Sequence, residues 1–208
     1  YRYQVLRNGR VVARSRGAFR TMPLPGSQAD VLFVSLSCSH REEPGAWQLL
    51  DSYVKKAAPR FLLMLGDQVY LDQGENVWEK HLDSSPQRRR QAMADKYQEH
   101  WSWEPIRSLM ANTPTYMIWD DHEIRDGWGS WAEDSPTLAG RYPRGAKITA
   151  TYEKFLRDAR DVYWHFQMSH NPQGQPQSLA AEPGTNRFAI PYWFQCGRLA
   201  VLVLDGRG

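Results

Sequence analysis

Phe61-Leu62-Leu63-Met64-Leu65-Gly66-Asp67-Gln68-Val69-Tyr70 is the stretch on which the fold turns. Five consecutive apolar residues stop at a glycine, and the first charged side chain beyond it is a carboxylate. A short run that is apolar on both faces reads as a strand covered on both sides of a sheet. The same pattern recurs three times. Residues 31–36 run into Ser37-Cys38-Ser39-His40, residues 115–119 into Asp120-Asp121-His122-Glu123, and residues 199–204 into Asp205-Gly206-Arg207. Helical spacing fills the intervals: Trp47, Leu50 and Val54 within 45–57, then Met93, Tyr97 and Trp101 within 86–110, then a third helix over 147–165. Strand, helix and strand in about thirty residues make a βαβ unit with a right-handed crossover. The chain reads as α/β, with a predominantly parallel or mixed sheet flanked by helices.

Ahead of this pattern the sequence differs in kind. Asn8-Gly9 separates two extended runs, residues 1–6 and 11–15, and this pair is the strongest short hairpin signal. Pro23, Pro25 and Gly26 then interrupt the chain as a linker. A lone hairpin is not a stable unit, so residues 1–25 read as the tail of an N-terminal β domain and 26–208 as the larger domain. Both chain ends read as cuts in a longer protein. Residues 171–186, rich in Pro, Gly and Gln, read as a surface loop.

Composition narrows the function. The 9 Trp, 10 Tyr and 7 Phe exclude a disordered tail, and no apolar run approaches the roughly 20 residues that span a bilayer. Six of the 26 Lys and Arg fall in residues 1–29 with no acid among them, which leaves 20 basic against 23 acidic residues elsewhere. A nucleic-acid-binding domain carries its excess base on the working part, so a stable nucleic-acid partner is not expected. Two cysteines, Cys38 and Cys196, allow at most one bridge. Placed at opposite ends of parallel strands, they are expected to stay unpaired. Compartment and oligomeric state stay open.

The chemistry sits after the strands, where open α/β sheets gather their sites. Taken singly, Cys38 reads as a small buried hydrophobe and Gly66-Asp67 as ordinary turn chemistry. Asp120-Asp121-His122-Glu123 is harder to dismiss, because acids crowded at the end of a buried strand repel one another unless a cation intervenes. Arg88-Arg89-Arg90 reads as a solvated helix face.

In order along the chain, Ser37-Cys38, Gly66-Asp67-Gln68-Val69-Tyr70, Trp119-Asp120-Asp121-His122-Glu123, Asp126-Gly127-Trp128-Gly129-Ser130 and Asp205-Gly206-Arg207 resemble the alkaline phosphatase D (PhoD-like) metallophosphatases. Phe19-Arg20-Thr21-Met22-Pro23 resembles the seam between that family's N-terminal β-sandwich and its catalytic domain. The resemblance implies a metallophosphoesterase-like β-sandwich core flanked by helices, here without its C-terminal part. It implies two metal ions, iron and calcium with other divalent metals as alternatives, held by Cys38, Asp67, Tyr70 and Asp121. The Cys38-Ser39-His40 stretch stands where the wider superfamily has Asp-x-His, and thiolate and phenolate suit a ferric ion. The implied reaction is in-line hydrolysis of a small phosphate ester, monoester or diester, by metal-activated water. Asp67 would bridge the metals, His122 would assist the leaving oxygen, Arg207 would clamp the phosphate, and Trp119, Trp128 and Trp131 would wall the cleft. The family includes extracellular and periplasmic proteins. A phosphatase fold used only for binding is the alternative, and the resemblance places further ligands beyond residue 208.

Overall fold

A computed structural model describes residues 1–40, 42, 44–128, 146–172 and 190–207, with the backbone alone for Arg14 and 146–153. Three parallel strands form the centre: β3 (Phe33–Leu36), β4 (Phe61–Leu65) and β5 (Thr115–Ile118), in that order across the sheet. Leu62 of β4 faces Val34 on one side and Thr115 on the other. The crossover from β3 to β4 is helix α1 (Pro44–Ala57), as the βαβ pattern predicts.

Alternation along β4 separates two cores. Leu62 and Met64 point to a cluster with Trp47 and Val54 of α1 and Ile106 and Leu109 of α4 (Glu104–Asn112). Phe61 and Leu63 point the other way, to Tyr192, Phe194 and Val203. Those residues belong to an antiparallel hairpin, β6 (Tyr192–Cys196) and β7 (Leu199–Val203). Phe194 stacks on Tyr116 at 4.2 Å between ring centres and meets Phe61 edge-on at 5.1 Å. The Tyr192 hydroxyl donates to the Met117 carbonyl at 2.9 Å. The expected fourth strand therefore lies in a second layer, not in the parallel sheet. Its outer face carries Leu202 at 67% exposure and its partner Trp193 at 50%, which is why its pattern passed for a strand covered on both sides.

Helices α2 (Val77–His81), α3 (Pro86–Ser102) and α5 (Ala146–Phe166) complete this second core. The single helix expected over 86–110 is two. Trp103 is extended (φ −64°, ψ 131°) and caps both α3 and α4. Pro105, in the first turn of α4, has no N–H to continue the earlier ladder. Arg89 corrects another expectation: it is 3% exposed, and its Nε donates to the buried Asp158 of α5 at 2.7 Å. Arg90 completes the clamp on the other Asp158 oxygen at 2.7 Å, so this basic run joins two helices.

At the N-terminus, β1 (Arg2–Arg7) and β2 (Arg10–Ala18) pair antiparallel across Asn8 and Gly9, both at positive φ. The hairpin rests on the end of α4, where Tyr3 donates to the Ala111 carbonyl at 2.8 Å. Cys38 and Cys196 are both free thiols. Among the described residues no helix is long and apolar enough to cross a membrane. Residues 173–186 of the expected loop, and Trp131, lie outside the described residues.

Candidate metal centre

The carboxyl ends of β3, β4 and β5 open onto one edge, and backbone hydrogen bonds tie their loops together. Cys38 N donates to the Gly66 carbonyl at 3.1 Å, and Ser39 N to the Asp67 carbonyl at 2.8 Å. Gly66 adopts φ +103°, and a Cβ there would lie 2.3 Å from Asp120 Cβ, so the loop after β4 touches the loop after β5 only because position 66 is glycine. Cys38 (φ +59°) and Asp67 (φ +56°) are both left-handed without being glycine. Such backbone costs on the order of 1–3 kcal/mol per residue and persists where surrounding structure enforces it, often at functional sites.

Glu123 supplies much of that enforcement. Its carboxylate, 1% exposed, accepts from Asp67 N at 3.1 Å, Gln68 N at 2.6 Å, Asp120 N at 2.9 Å and Gln167 Nε2 at 3.2 Å. Burial pushes its pKa up to about 7, against the pull of the backbone donors. Of the four residues Asp120-Asp121-His122-Glu123, this one is turned inward as an anchor. Asp120 is also accounted for, since Arg207 Nε donates to it. That leaves Asp121 and His122.

Asp67, Asp121 and His122 each offer a ligand atom within 4.8 Å of the others. Asp67 is 6% exposed; its oxygens accept from His122 N at 3.3 Å and from the Cys38 thiol at 3.4 Å. Burial raises its pKa, His122 opposes the rise, and the Asp121 charge adds to it. Asp121 accepts from Gly127 N at 2.7 Å. Burial works to lower the His122 pKa, but the hydrogen bond and charge of Asp72, with the charges of Asp67 and Asp121, lift it to about 9. Asp72 takes His122 Nδ1 at 2.8 Å and Asp126 N at 2.6 Å, which fixes the ring and leaves Nε2 as the nitrogen Asp72 does not hold.

Tyr70 joins the group through its ring, 4.4 Å between centres from His122. Burial and then the negative charge of Asp67 and Cys38 drive its phenol pKa upward. Arg207 reaches the edge from the loop after β7, its Nη1 donating to the Trp128 carbonyl and its Nη2 lying 4.0 Å from Asp121. Trp119 Nε1 donates to Asp205 at 2.8 Å, so the second layer delivers its tip to the same edge. The structure thus gathers Cys38, Asp67, Tyr70, Asp121, His122 and Arg207 at one place.

Two contributors escape a reading of the sequence. Asp72 sits in the turn-forming stretch Leu71-Asp72-Gln73-Gly74, and Gln167 at the end of α5 is 44 residues from the glutamate it meets. Neither carries a local signal beyond turn chemistry or helical spacing.

The model of the PhoD-like phosphatase family matches residues 33–208, and the chain belongs to that family. A solved structure titled "Structure of PhoD" superposes with a TM-score of 0.60 at 18% identity, covering 95% of this chain and 35% of that one. The chain thus spans about a third of the length of that structure, with which it shares the fold. Comparison with curated proteins yields no match.

Proposed function

We propose that this edge is the site of a metal-dependent phosphoesterase that hydrolyses small phosphate esters by direct attack of water. One observation carries the reading: two separate loops, after β4 and after β5, place ligand atoms of Asp67, Asp121 and His122 within 4.8 Å of one another, which two carboxylates do not tolerate well without a cation. The remaining donors fit. A thiol, a phenol and a carboxylate at Cys38, Tyr70 and Asp67 suit ferric iron, and carboxylate oxygens at Asp67 and Asp121 suit calcium. Tyr70 supports this, because the neighbours that hinder its ionisation are themselves candidate ligands whose charge a cation would offset. Bound metals would supply Lewis-acid charge for the phosphoryl oxygens and bring a water toward ionisation near neutral pH.

The chain's own groups do the rest. Asp67 would hold metal together with Cys38, Tyr70 and Asp121. His122, oriented by Asp72 and charged at neutral pH, would present Nε2 as a hydrogen-bond donor or acid to the leaving oxygen. Arg207, steadied by Asp120 and the Trp128 carbonyl, would add positive charge for the phosphate. Trp128 would stand on the flank of the cleft, whereas Trp119, expected there too, is 3% exposed and stacks on Tyr163 in the core. The test is hydrolysis of a generic aryl phosphate by the intact protein, before and after chelation. Activity should vanish with chelator and return with added metal. Turnover indifferent to chelation would remove the metal reading. Metal bound without turnover would favour a binding module on the same fold.

A further inference from the structure

Glu123 anchors the loops after β4 and β5, but none of its four hydrogen bonds reaches the loop after β3. That loop, Ser37-Cys38-Ser39-His40, carries Cys38 in left-handed backbone at φ +59°. A non-glycine residue stays there only where the surrounding structure enforces it. Part of the enforcement is sideways, through the backbone bonds from Cys38 and Ser39 to the Gly66 and Asp67 carbonyls. Trp47 of α1 holds the far end, its Nε1 donating to the His40 carbonyl at 3.0 Å.

The remaining restraint comes from behind, out of α3. Ser39 is 0% exposed, and its Oγ lies 2.7 Å from Nε2 of His100, which is itself buried. His100 stands on the buried face of α3, three residues after Tyr97. A hydroxyl taken out of water needs a partner, and this bond supplies it across 61 residues of sequence. Ser39 is therefore a pivot. Its side chain is fixed to α3, its N–H is given to the Asp67 carbonyl at 2.8 Å, and its preceding neighbour is Cys38. The thiol of Cys38 in turn meets Asp67 Oδ2 at 3.4 Å. A turn of the peptide at Ser39 would swing that sulfur off the carboxylate.

We propose that His100 is a positioning residue, which through Ser39 fixes the loop after β3 so that the Cys38 thiol and the Asp67 carboxylate face one metal ion. The inference rests on the metal-site reading given above. His100 acts at one remove, setting the direction of a ligand it does not touch.

The test uses the intact protein, stripped of metal and titrated with Co²⁺, because a thiolate ligand gives cobalt a charge-transfer band. Wild type should show the band, and Cys38→Ser should bind cobalt without it. His100→Phe and Ser39→Ala, which remove the bond from either side, should each weaken cobalt binding about tenfold and diminish the band, the usual scale for a partner that orients a ligand. His100→Gln, whose amide can stand near the position of Nε2, should restore most of both. In a Cys38→Ser background, Ser39→Ala should cost nothing further, since the two changes act through one ligand. Ser39→Ala keeps the test open if His100→Phe does not fold. Wild-type affinity and band in Ser39→Ala overturn the proposal, as does an equal loss in the Cys38→Ser background, which would assign the bond to folding alone. Cobalt bound by wild type without the band would overturn the positioning role and leave the metal site standing. No cobalt bound at all would remove both.

Discussion

Glu123 and Asp67 are both buried carboxylates, and one hydrogen bond of 3.1 Å links the backbone of the second to the side chain of the first. They nevertheless live in opposite surroundings. Glu123 accepts four N–H donors drawn from the loops after β4 and β5 and the end of α5. That roughly fills the four lone-pair sites a carboxylate has. Asp67 receives one long backbone N–H and one thiol, and faces Asp121 with ligand atoms less than 4.8 Å apart. Burial alone therefore does not mark a working acid. Acceptor capacity left unfilled, next to another acid, does.

Substitutions should separate the two behaviours. The largest effect is expected at Asp67→Asn and Asp121→Asn, which remove a ligand charge while keeping shape. Hydrolysis by the intact protein should fall by at least ~10⁴-fold, since metal Lewis acidity is worth several kcal/mol of barrier. Thermal stability without metal should hold, because each change relieves repulsion between neighbouring acids.

His122→Ala should cost ~10²–10⁴-fold in turnover, the usual worth of a proton donor, with most of the metal retained. A loss of metal equal to that in Asp67→Asn would instead make His122 a ligand, with Asp72 as its orienting partner.

Glu123→Ala should invert the pattern, appearing first in the melting curve. It leaves two buried backbone N–H groups, of Asp67 and Gln68, without their acceptor, at about 1–3 kcal/mol each, and the half-buried N–H of Asp120 as well. A thermal melt in the absence of metal that matches wild type would show that the anchor role is wrong.

The smallest change is expected at Arg207→Lys, which keeps the charge and loses the planar fork. KM for an aryl phosphate should rise about tenfold with kcat little altered.

How much of this was legible follows from the same contrast. The parallel strands and their reactive tips were readable, because a buried strand must be apolar throughout and whatever follows it meets solvent. The break at Trp103 was readable in principle from Pro105, but the helical spacing of Met93, Tyr97 and Trp101 masked it. Strand β6 carries no clear sequence signal, since Tyr-Trp-Phe-Gln-Cys does not alternate cleanly, so the second layer is expected only through the β-sandwich core that the family resemblance implies. Arg89 looked solvated because a run of three arginines carries no mark of Asp158, 69 residues away. Glu123 and Asp121 are two residues apart and chemically alike. Only the three-dimensional placement of N–H donors tells the anchor from the candidate ligand.

The most direct measurement is metal stoichiometry by elemental analysis of the intact protein, wild type beside Asp67→Asn, each purified without added metal. The account predicts bound metal in the wild-type protein and a clear loss of it in Asp67→Asn, with the same circular dichroism spectrum. Equal metal content in the two proteins would contradict it.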